Sequence, residues 1–291
     1  MSHRSPPVTV VIPTHDHGPL VELAARSALD QTTEVLEVLI VGDGAPEVTS
    51  TIAAELSKAD ARVTYFDNPK GPGLGEVHRH AALQQAQGEV VMYLADDDLW
   101  LPDHVEHMLP ILAAADFANT PKVTIGERGG PSRPRFENYS SPLTRKSLMA
   151  GRAGPGISFV GHTMDAYRKL PFGWRTRPAG TASDVYMWQQ FVAASWLTGA
   201  TGARPTALRL ASPPRSHVSI EDRLEEMKRW AAVVEDPLQR ADLYARICAA
   251  VVTHENRQRH KHELAAVASP RRRISAALTE AAGYARRRRD R

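Results

Sequence analysis

The stretch that decides the fold class reads VTVVIPTHDHGPLVELAARSALDQTTEVLEVLIVGDG and occupies residues 8–44. It contains two apolar runs, Val8–Ile12 and Val35–Val41, separated by a helical pattern over Leu20–Leu29. Apolar runs without alternation are typical of strands that are buried on both faces of a parallel sheet. The stretch therefore predicts a strand, a helix and a second strand.

The same alternation continues beyond this stretch. Further strands are predicted at Val63–Phe66 and Val90–Leu94, and helices at Val48–Leu56 and Val77–Ala86. We expect an α/β fold in which helices flank a mostly parallel sheet. In such sheets ligands bind at the carboxyl ends of the strands, because loops and helix N-termini converge there.

The composition is that of a globular protein, with 42% hydrophobic and 24% charged residues. The one cysteine, Cys248, lies in an apolar run and is predicted to be buried, and it excludes an internal disulfide. The N-terminal residues lack the pattern of a secretory signal, and no stretch is long and apolar enough to span a bilayer. We therefore expect a cytoplasmic protein.

The charge is unevenly distributed. Residues 270–291 contain eight arginines and two acids, a net charge of +6, which leaves −3 for the remainder of a chain whose total is +3. The net positive charge of the chain comes from this tail, so it does not predict nucleic-acid binding by the main body. The tail has helical spacing, and we expect it to fray, to contact an anionic membrane surface or to dock an acidic partner.

Three consecutive aspartates, Asp96, Asp97 and Asp98, directly follow the strand predicted at Val90–Leu94. Their mutual repulsion is costly without a cation, and carboxylates are ligands that Mg²⁺ and Mn²⁺ prefer. The alternative is an acidic loop whose last member caps the following helix. We expect the cation site for Asp96 and Asp97, and the cap for Asp98 or Asp103.

Five segments of the first 110 residues carry a resemblance to a known family. They are VTVVIPTHD at 8–16, SALDQT at 27–32, EVLIVGDG at 37–44, GEVVMYLADDD at 88–98 and LPDH at 101–104. In order and spacing they resemble the family 2 glycosyltransferases, which have the GT-A fold. The resemblance implies inverting transfer of a sugar from a nucleotide-diphosphate sugar, with Mn²⁺ or Mg²⁺ as the cofactor.

The resemblance also implies roles for individual residues. Asp43 matches an aspartate that hydrogen-bonds to the nucleobase, Asp96 would lie near the ribose or the metal, and Asp97 would ligate the metal. The chain departs from the commonest pattern at Gly42 and Ala95, where the family often has aspartate. The residues expected to bind the nucleotide are Pro13, Thr14, His15, Asp16, Asp43, Arg79 and Asp96.

Two of the expected binding residues, Arg79 and His217, each have a second interpretation. Arg79 is interpreted either as a basic residue near the donor or as a solvated arginine. His217 follows the strand predicted at Thr206–Leu210 and is interpreted either as the third metal ligand or as a surface histidine. The cluster His15-Asp16-His17 is too compact for its three side chains to converge on one ion, so no metal site is predicted there.

Asp184 is the predicted catalytic base, because it opens a helix where the family has an aspartate that takes the proton of the acceptor hydroxyl. Its alternative is an acid that interacts with the helix dipole, which would lower its pKa, and both can hold together. His162 and Trp188 are weak candidates for lining the acceptor pocket, and His162 is alternatively structural. The glycine-rich loop 70–75 lacks phosphate-loop spacing, and Lys70 is a weak phosphate candidate.

The predicted organisation is a catalytic domain at 1–217 and a helical extension with a basic tail at 218–291. The catalytic domain divides into a donor half at 1–118 and an acceptor half at 119–217, and the segment 126–156 is predicted to be a long, lid-like surface connection. The acceptor and the oligomeric state are not predicted.

Two rival functions are a sugar nucleotidyltransferase and an inactive nucleotide-sugar-binding module. A nucleotidyltransferase would need a glycine-rich basic loop after the first strand, which this sequence lacks. An inactive module would lack the base, and Asp184 therefore argues against it.

Overall fold

The structure is a computed structural model that describes residues 5–126, 129–152, 154–210 and 216–268. Within these residues the strands are β1 Val8–Thr14, β2 Glu37–Gly42, β3 Val63–Phe66, β4 Val90–Tyr93, β5 Asp98–Trp100, β6 Phe117–Asn119, β7 Val123–Thr124, β8 Val160–Thr163, β9 Gly199–Thr201 and β10 Ala207–Arg209. The helices are α1 Leu20–Leu29, α2 Glu47–Ala59, α3 Glu76–Leu83, α4 His104–Leu112, α5 Pro142–Met149, α6 Met164–Arg168, α7 Ser183–Ala193, α8 Ile220–Glu235 and α9 Pro237–Ala268.

The central sheet has the strand order β3-β2-β1-β4-β8-β6-β9. Strand β1 is parallel to β2 and β4, β2 is parallel to β3, and β6 is parallel to β9, whereas β8 runs antiparallel between β4 and β6. A smaller sheet has the order β5-β10-β7. The predicted α/β class with a mostly parallel sheet flanked by helices is confirmed.

Two hydrophobic clusters lie on opposite faces of the central sheet. Along β1, Val10 and Ile12 belong to one cluster and Val11 to the other, as expected when successive side chains point to opposite faces. The first cluster includes side chains of α1, α4 and α8, and the second includes side chains of α3, α6 and α7. This double cover explains the continuous apolar runs in the sequence.

The segment 126–156 differs from the predicted surface connection. Part of it forms α5, whose Leu148 is fully buried in the second cluster, and Gln189 of α7 donates to the backbone oxygen of Leu148 at 3.1 Å. A helix of two turns with few apolar residues has too short a pattern to show helical periodicity. A 3₁₀ turn at Ile157–Phe159 follows this segment and leads directly into β8.

The prediction of a buried Cys248 is wrong, because its side chain is exposed. On α9, Leu243 and Ile247 face the core. Cys248 follows Ile247 by one residue and therefore points about 100° away from that face. The basic tail at 270–291 lies outside the described residues. Among the helices that the structure describes, none is long and apolar enough to cross a membrane.

Helix α8 follows the smaller sheet and packs into the main hydrophobic core. Met227, Trp230 and Val234 are buried in the same cluster as the side chains of β1 and α1. Helix α8 ends at Glu235, and α9 begins at Pro237. The first part of the C-terminal extension thus shares its core with the sheet.

Met227 provides a test of this shared core, because only 1% of its surface is exposed. We expect Met227→Ala to lower the free energy of unfolding by about 2–5 kcal/mol, since it removes buried methylenes and leaves a cavity. Urea denaturation measures this change. The adjacent exposed Lys228 is the control, and Lys228→Ala should change stability by no more than about 0.5 kcal/mol. Equal effects of both substitutions would contradict a docked α8.

Candidate active site

The candidate site lies at the edge of the sheet where β1, β2 and β4 end. These three strands are neighbours and parallel, so the loops that follow Thr14, Gly42 and Tyr93 meet at one edge. Three of the aspartates predicted to bind the nucleotide or the metal, Asp43, Asp96 and Asp97, lie in two of these loops and are buried. The chain therefore brings polar groups together where the fold rule predicts a ligand site.

Asp96 is held by two residues from the loop after β1. Thr14 Oγ1 donates to Asp96 Oδ2 at 2.6 Å, and His17 Nδ1 lies 2.6 Å from Asp96 Oδ1. Burial lowers the pKa of His17, but the hydrogen bond to Asp96 and the charges of Asp96 and Asp97 outweigh burial and raise it to about 9. The ring of His17 thus holds a proton at neutral pH, and a metal that binds to this ring must displace that proton.

Asp97 forms an ion pair with helix α8. Arg223 Nη2 donates to Asp97 Oδ2 at 3.0 Å, and both side chains are about 10% exposed or less. A charge-assisted hydrogen bond in such a buried setting is strong, and removing one partner leaves a costly unpaired charge. The C-terminal extension therefore reaches a residue that the sequence predicted to ligate the metal.

The predicted helix cap for Asp98 or Asp103 is not formed. Ser158 Oγ donates to Asp98 Oδ2 at 2.5 Å and the backbone N–H of Leu210 donates to Asp98 Oδ1 at 2.8 Å, so Asp98 ties β10 to the turn before β8. Asp103 has the N-cap position of α4 but makes no capping bond, and it pairs with Arg204 at 2.5 Å. Burial and the charge of Asp97 raise the pKa of Asp98 to about 7.

His17, Asp96 and Asp97 form a group that could hold a metal. Their ligand atoms lie within 4.8 Å of one another, and this is the only such group of three or more among the described residues. Two carboxylates and one imidazole suit Mn²⁺, and the carboxylates also suit Mg²⁺. The donor set fits the predicted cofactor.

The other predicted residues near this group lie outside it. His217, predicted as the third ligand, is exposed and is not part of the group. His15 and Asp16 are exposed, and Pro13 is partly buried in β1. Of the compact cluster at 15–17, only His17 reaches the carboxylates.

Asp43 is covered by the glycine-rich loop 70–75. Lys70 Nζ lies 2.5 Å from Asp43 Oδ2, and the N–H of Gly71 donates to Oδ1 at 2.7 Å. Burial raises the pKa of Asp43, but these two hydrogen bonds together with the charges of Lys70 and His78 outweigh burial and lower it. Gly75 has a φ of +74°, and a Cβ there would lie 2.8 Å from Asp43 Cβ, so glycine is required for this close approach.

Arg79 is fully buried, and its alternative as a solvated arginine is therefore wrong. Its Nη1 donates to the backbone oxygen of Leu74 at 2.8 Å, and its Nη2 donates to Ser183 Oγ at 2.9 Å. The guanidinium carbon lies 4.2 Å from the centre of the Trp174 ring. Arg79 thus connects the loop over Asp43 to the first turn of α7.

Asp184 lies in the first turn of α7, next to Ser183. Burial raises the pKa of Asp184, although the N–H of Val185 and the positive charges of Lys122 and Arg209 act in the opposite direction. The lower pKa that the helix N-terminus alone would produce is therefore not the net result. A raised pKa suits a general base, because proton transfer is most efficient when the pKa approaches the working pH.

Two cations, Arg79 and Arg209, interact electrostatically with Asp184 and with a carboxylate at the sheet edge. The charges of both Asp184 and Asp43 act on Arg79, and the charge of Arg209 acts on both Asp184 and Asp98. Arg209 lies on β10, directly opposite Asp98 on β5. The catalytic candidate and the donor candidates thus belong to one charged region.

His162 and Trp188 are fully buried in the second hydrophobic cluster or beside it. His162 Nε2 lies 2.8 Å from the hydroxyl of Tyr93, and Trp188 Nε1 donates to the backbone oxygen of Pro155 at 3.2 Å. Burial lowers the pKa of His162 to about 4, so its ring is neutral. In this arrangement both side chains are part of the packing beneath the surface. For His162 this agrees with the structural alternative.

Sequence reasoning missed His17, Arg223 and Arg209. His17 follows β1 at the edge of the sheet where ligands bind, so its position in the sequence indicates a possible ligand. It was missed because His15, Asp16 and His17 were considered together as one metal site. Arg223 lies 126 residues beyond Asp97. No local pattern indicates such a contact, nor the pairing that sets Arg209 opposite Asp98.

Comparisons with known proteins agree with this geometry. Residues 9–173 match the sequence profile of the family described as glycosyl transferase family 2. The chain is 35% identical over 112 residues to an uncharacterized glycosyltransferase of Rickettsia typhi, and 32% identical over 114 residues to the putative teichuronic acid biosynthesis glycosyltransferase TuaG of Bacillus subtilis. Each match covers 38% of this chain, and 34% and 44% of the two relatives respectively. The chain thus spans less than half the length of these relatives.

A solved structure shares the fold. The S. aureus TarS fragment 1-349 superposes with a TM-score of 0.55 at 15% sequence identity, covering 84% of this chain and 70% of the fragment. The same fragment in complex with UDP-GlcNAc gives a TM-score of 0.54 at 17% identity, covering 84% and 71%. The likeness extends beyond the region that matches the family profile.

Asp98 allows a test of its role as a tie between strands. We expect Asp98→Ala to lower the free energy of unfolding by about 2–6 kcal/mol, because two buried donors lose their acceptor at about 1–3 kcal/mol each. Urea denaturation measures this loss. Asp165→Ala on α6 removes a carboxylate that is 84% exposed and serves as the control. Unchanged stability in Asp98→Ala would contradict the tie.

Proposed function

Because the chain belongs to glycosyltransferase family 2, we propose that it transfers a sugar from a nucleoside-diphosphate donor to an acceptor hydroxyl, with inversion and with a divalent metal. The observation that carries the proposal is the meeting of Asp43, Asp96, Asp97 and His17 at one edge of the sheet, with Asp184 in the same charged region. A donor site and a general base are the two parts that such a transfer needs.

Different residues are candidates for binding the nucleobase of the donor and its sugar-phosphate part. Asp43 and the loop 70–75 would hold the nucleobase, and Lys70 would exchange its bond to Asp43 for one to the nucleotide. Arg79 would fix this loop relative to α7, since it bonds to Leu74 and Ser183 at the same time. Thr14 would orient Asp96 toward the ribose or the metal.

Asp96, Asp97 and His17 would hold Mn²⁺ or Mg²⁺. When bound, the ion supplies positive charge that stabilises the leaving diphosphate. Thr14 holds one oxygen of Asp96, and such an outer partner would orient this carboxylate toward the metal.

Asp184 would act on the acceptor. Its carboxylate takes the proton of the acceptor hydroxyl while the oxygen attacks the anomeric carbon, and the bond from that carbon to the diphosphate oxygen breaks. The nucleoside diphosphate leaves from the opposite face, so the configuration inverts. Lys122 and Arg209 tune the basicity of Asp184 through their charges.

The two rival functions make different demands on this site. A sugar nucleotidyltransferase would release pyrophosphate, whereas a glycosyltransferase releases a nucleoside diphosphate. An inactive binding module would bind the donor and release neither. Release of nucleoside diphosphate therefore separates a glycosyltransferase from both rivals, and release of pyrophosphate separates the two rivals from each other.

The first test is a screen followed by a turnover assay. A thermal-shift screen of nucleotide sugars with Mn²⁺ or Mg²⁺ identifies the donor, because a ligand that binds the folded state stabilises it by mass action. UDP-GlcNAc is included first because TarS was solved with it. Release of nucleoside diphosphate, with water or added saccharides as acceptors, then reports transfer.

We expect Asp184→Asn to reduce nucleoside diphosphate release by about 10²–10⁴-fold, the usual contribution of a general base. The thermal shift produced by the donor should be kept, because Asp184 is not expected to bind the donor. Asp165→Asn, an exposed carboxylate on another helix, is the control and should retain wild-type turnover. Normal turnover in Asp184→Asn, or a product with retained configuration, would overturn the proposed role.

The pH dependence of turnover provides an independent check. A base works when deprotonated, so kcat/KM should fall as the pH decreases through the raised pKa of Asp184. Lys122→Met removes a positive charge that lowers this pKa, and we expect the acid limb to move to higher pH. Lys146→Met on the exposed face of α5 is the control. An acid limb that moves to lower pH in Lys122→Met would contradict the assignment.

A further inference from the structure

Arg223 contacts the proposed metal site from a part of the chain that the family profile does not match. The profile covers residues 9–173, whereas Arg223 lies on α8. Its Nη2 donates to Asp97 Oδ2 at 3.0 Å, and only about 10% of each side chain is exposed. The contact therefore joins two buried charges across 126 residues of sequence.

This ion pair is not needed to dock α8. Met227, Trp230 and Val234 already bury one face of the helix in the main core. A buried ion pair adds little net stability, because desolvation of both charges offsets their attraction. A function for Arg223 beyond packing is therefore the better explanation of a buried arginine at this position.

A guanidinium and a divalent cation compete for the same carboxylate. Positive charges a few ångströms apart in a buried site repel each other strongly. The repulsion is relieved when an anion binds to both cations. A diphosphate is such an anion, and the planar fork of arginine matches phosphate oxygens.

We propose that Arg223 is an internal counter-ion of Asp97 that makes metal binding depend on the diphosphate of the donor. Arg223 holds Asp97 and weakens binding of the metal alone. When the diphosphate arrives with the metal, Arg223 exchanges the carboxylate for phosphate oxygens. The inference rests on the proposed function, and it assigns part of the donor site to the C-terminal extension.

Binding of Mn²⁺ alone, without any turnover, tests the first half of this proposal. Free Mn²⁺ is measured by electron paramagnetic resonance while the 291-residue chain is titrated. We expect Arg223→Gln to bind Mn²⁺ at least about tenfold more tightly than wild type, because a close unit charge is removed. Arg223→Lys keeps the charge and should stay close to wild type.

Arg229→Gln is the matched control, since it removes the same charge from an exposed position of the same helix. It should bind Mn²⁺ as wild type does. Thermal melting shows that each variant is folded, and Arg223→Met is the second charge-removing variant if glutamine destabilises the fold. Equal or weaker Mn²⁺ binding in the folded charge-removing variant would overturn the proposal.

Calorimetric titration with UDP, with and without saturating Mn²⁺, tests the second half. Metal and diphosphate affect each other's affinity by the same factor, so the gain in UDP affinity caused by Mn²⁺ measures their coupling. We expect this gain to be smaller in Arg223→Gln than in wild type and in Arg229→Gln. An unchanged gain would contradict the proposal.

The failure of this inference can be distinguished from the failure of the proposed function. If wild type binds neither UDP nor any other nucleoside diphosphate, the proposed function fails. If wild type binds UDP with Mn²⁺ but removal of the Arg223 charge leaves Mn²⁺ affinity unchanged, only the role of Arg223 fails.

Discussion

The repulsion between three adjacent carboxylates at 96–98 is the constraint on which the rest of the site depends. Like charges in one turn are stable in a buried setting only if each has its own partner. Here the partners come from separate parts of the chain: His17 after β1, Arg223 on α8, and Ser158 with Leu210 around β8 and β10. The triplet thus contacts side chains or backbone from the first strand's loop, the smaller sheet and the C-terminal extension.

Burial and nearby positive charges shift the pKa values of the carboxylates at the candidate site in opposite directions. Which effect is larger differs from one carboxylate to the next. Asp43 has a lowered pKa because two donors outweigh its burial, whereas Asp184 has a raised pKa because burial outweighs its donors and nearby cations. The two carboxylates share Arg79 as a charged neighbour. Environment, and not residue type, therefore assigns a binding role to one aspartate and a proton-accepting role to the other under the proposed mechanism.

The boundary of the family profile is not the boundary of the site. The profile ends at residue 173, before α7 with Asp184, β10 with Arg209 and α8 with Arg223. The likeness to TarS covers 84% of the chain, so the shared fold extends beyond the residues that match the profile.

The sequence by itself determined the α/β class, the mostly parallel sheet and the loops that carry the donor candidates, because strand burial and strand-end position leave local patterns. It also separated Asp96 and Asp97 from Asp98. Only the tertiary structure decided which groups pair with these carboxylates. It replaced the expected cap of Asp98 with a tie to Leu210, left His217 exposed and brought Arg223 to Asp97. The physical reason is that a local pattern reports which residues are buried, whereas charge pairing depends on distances between segments that only packing sets.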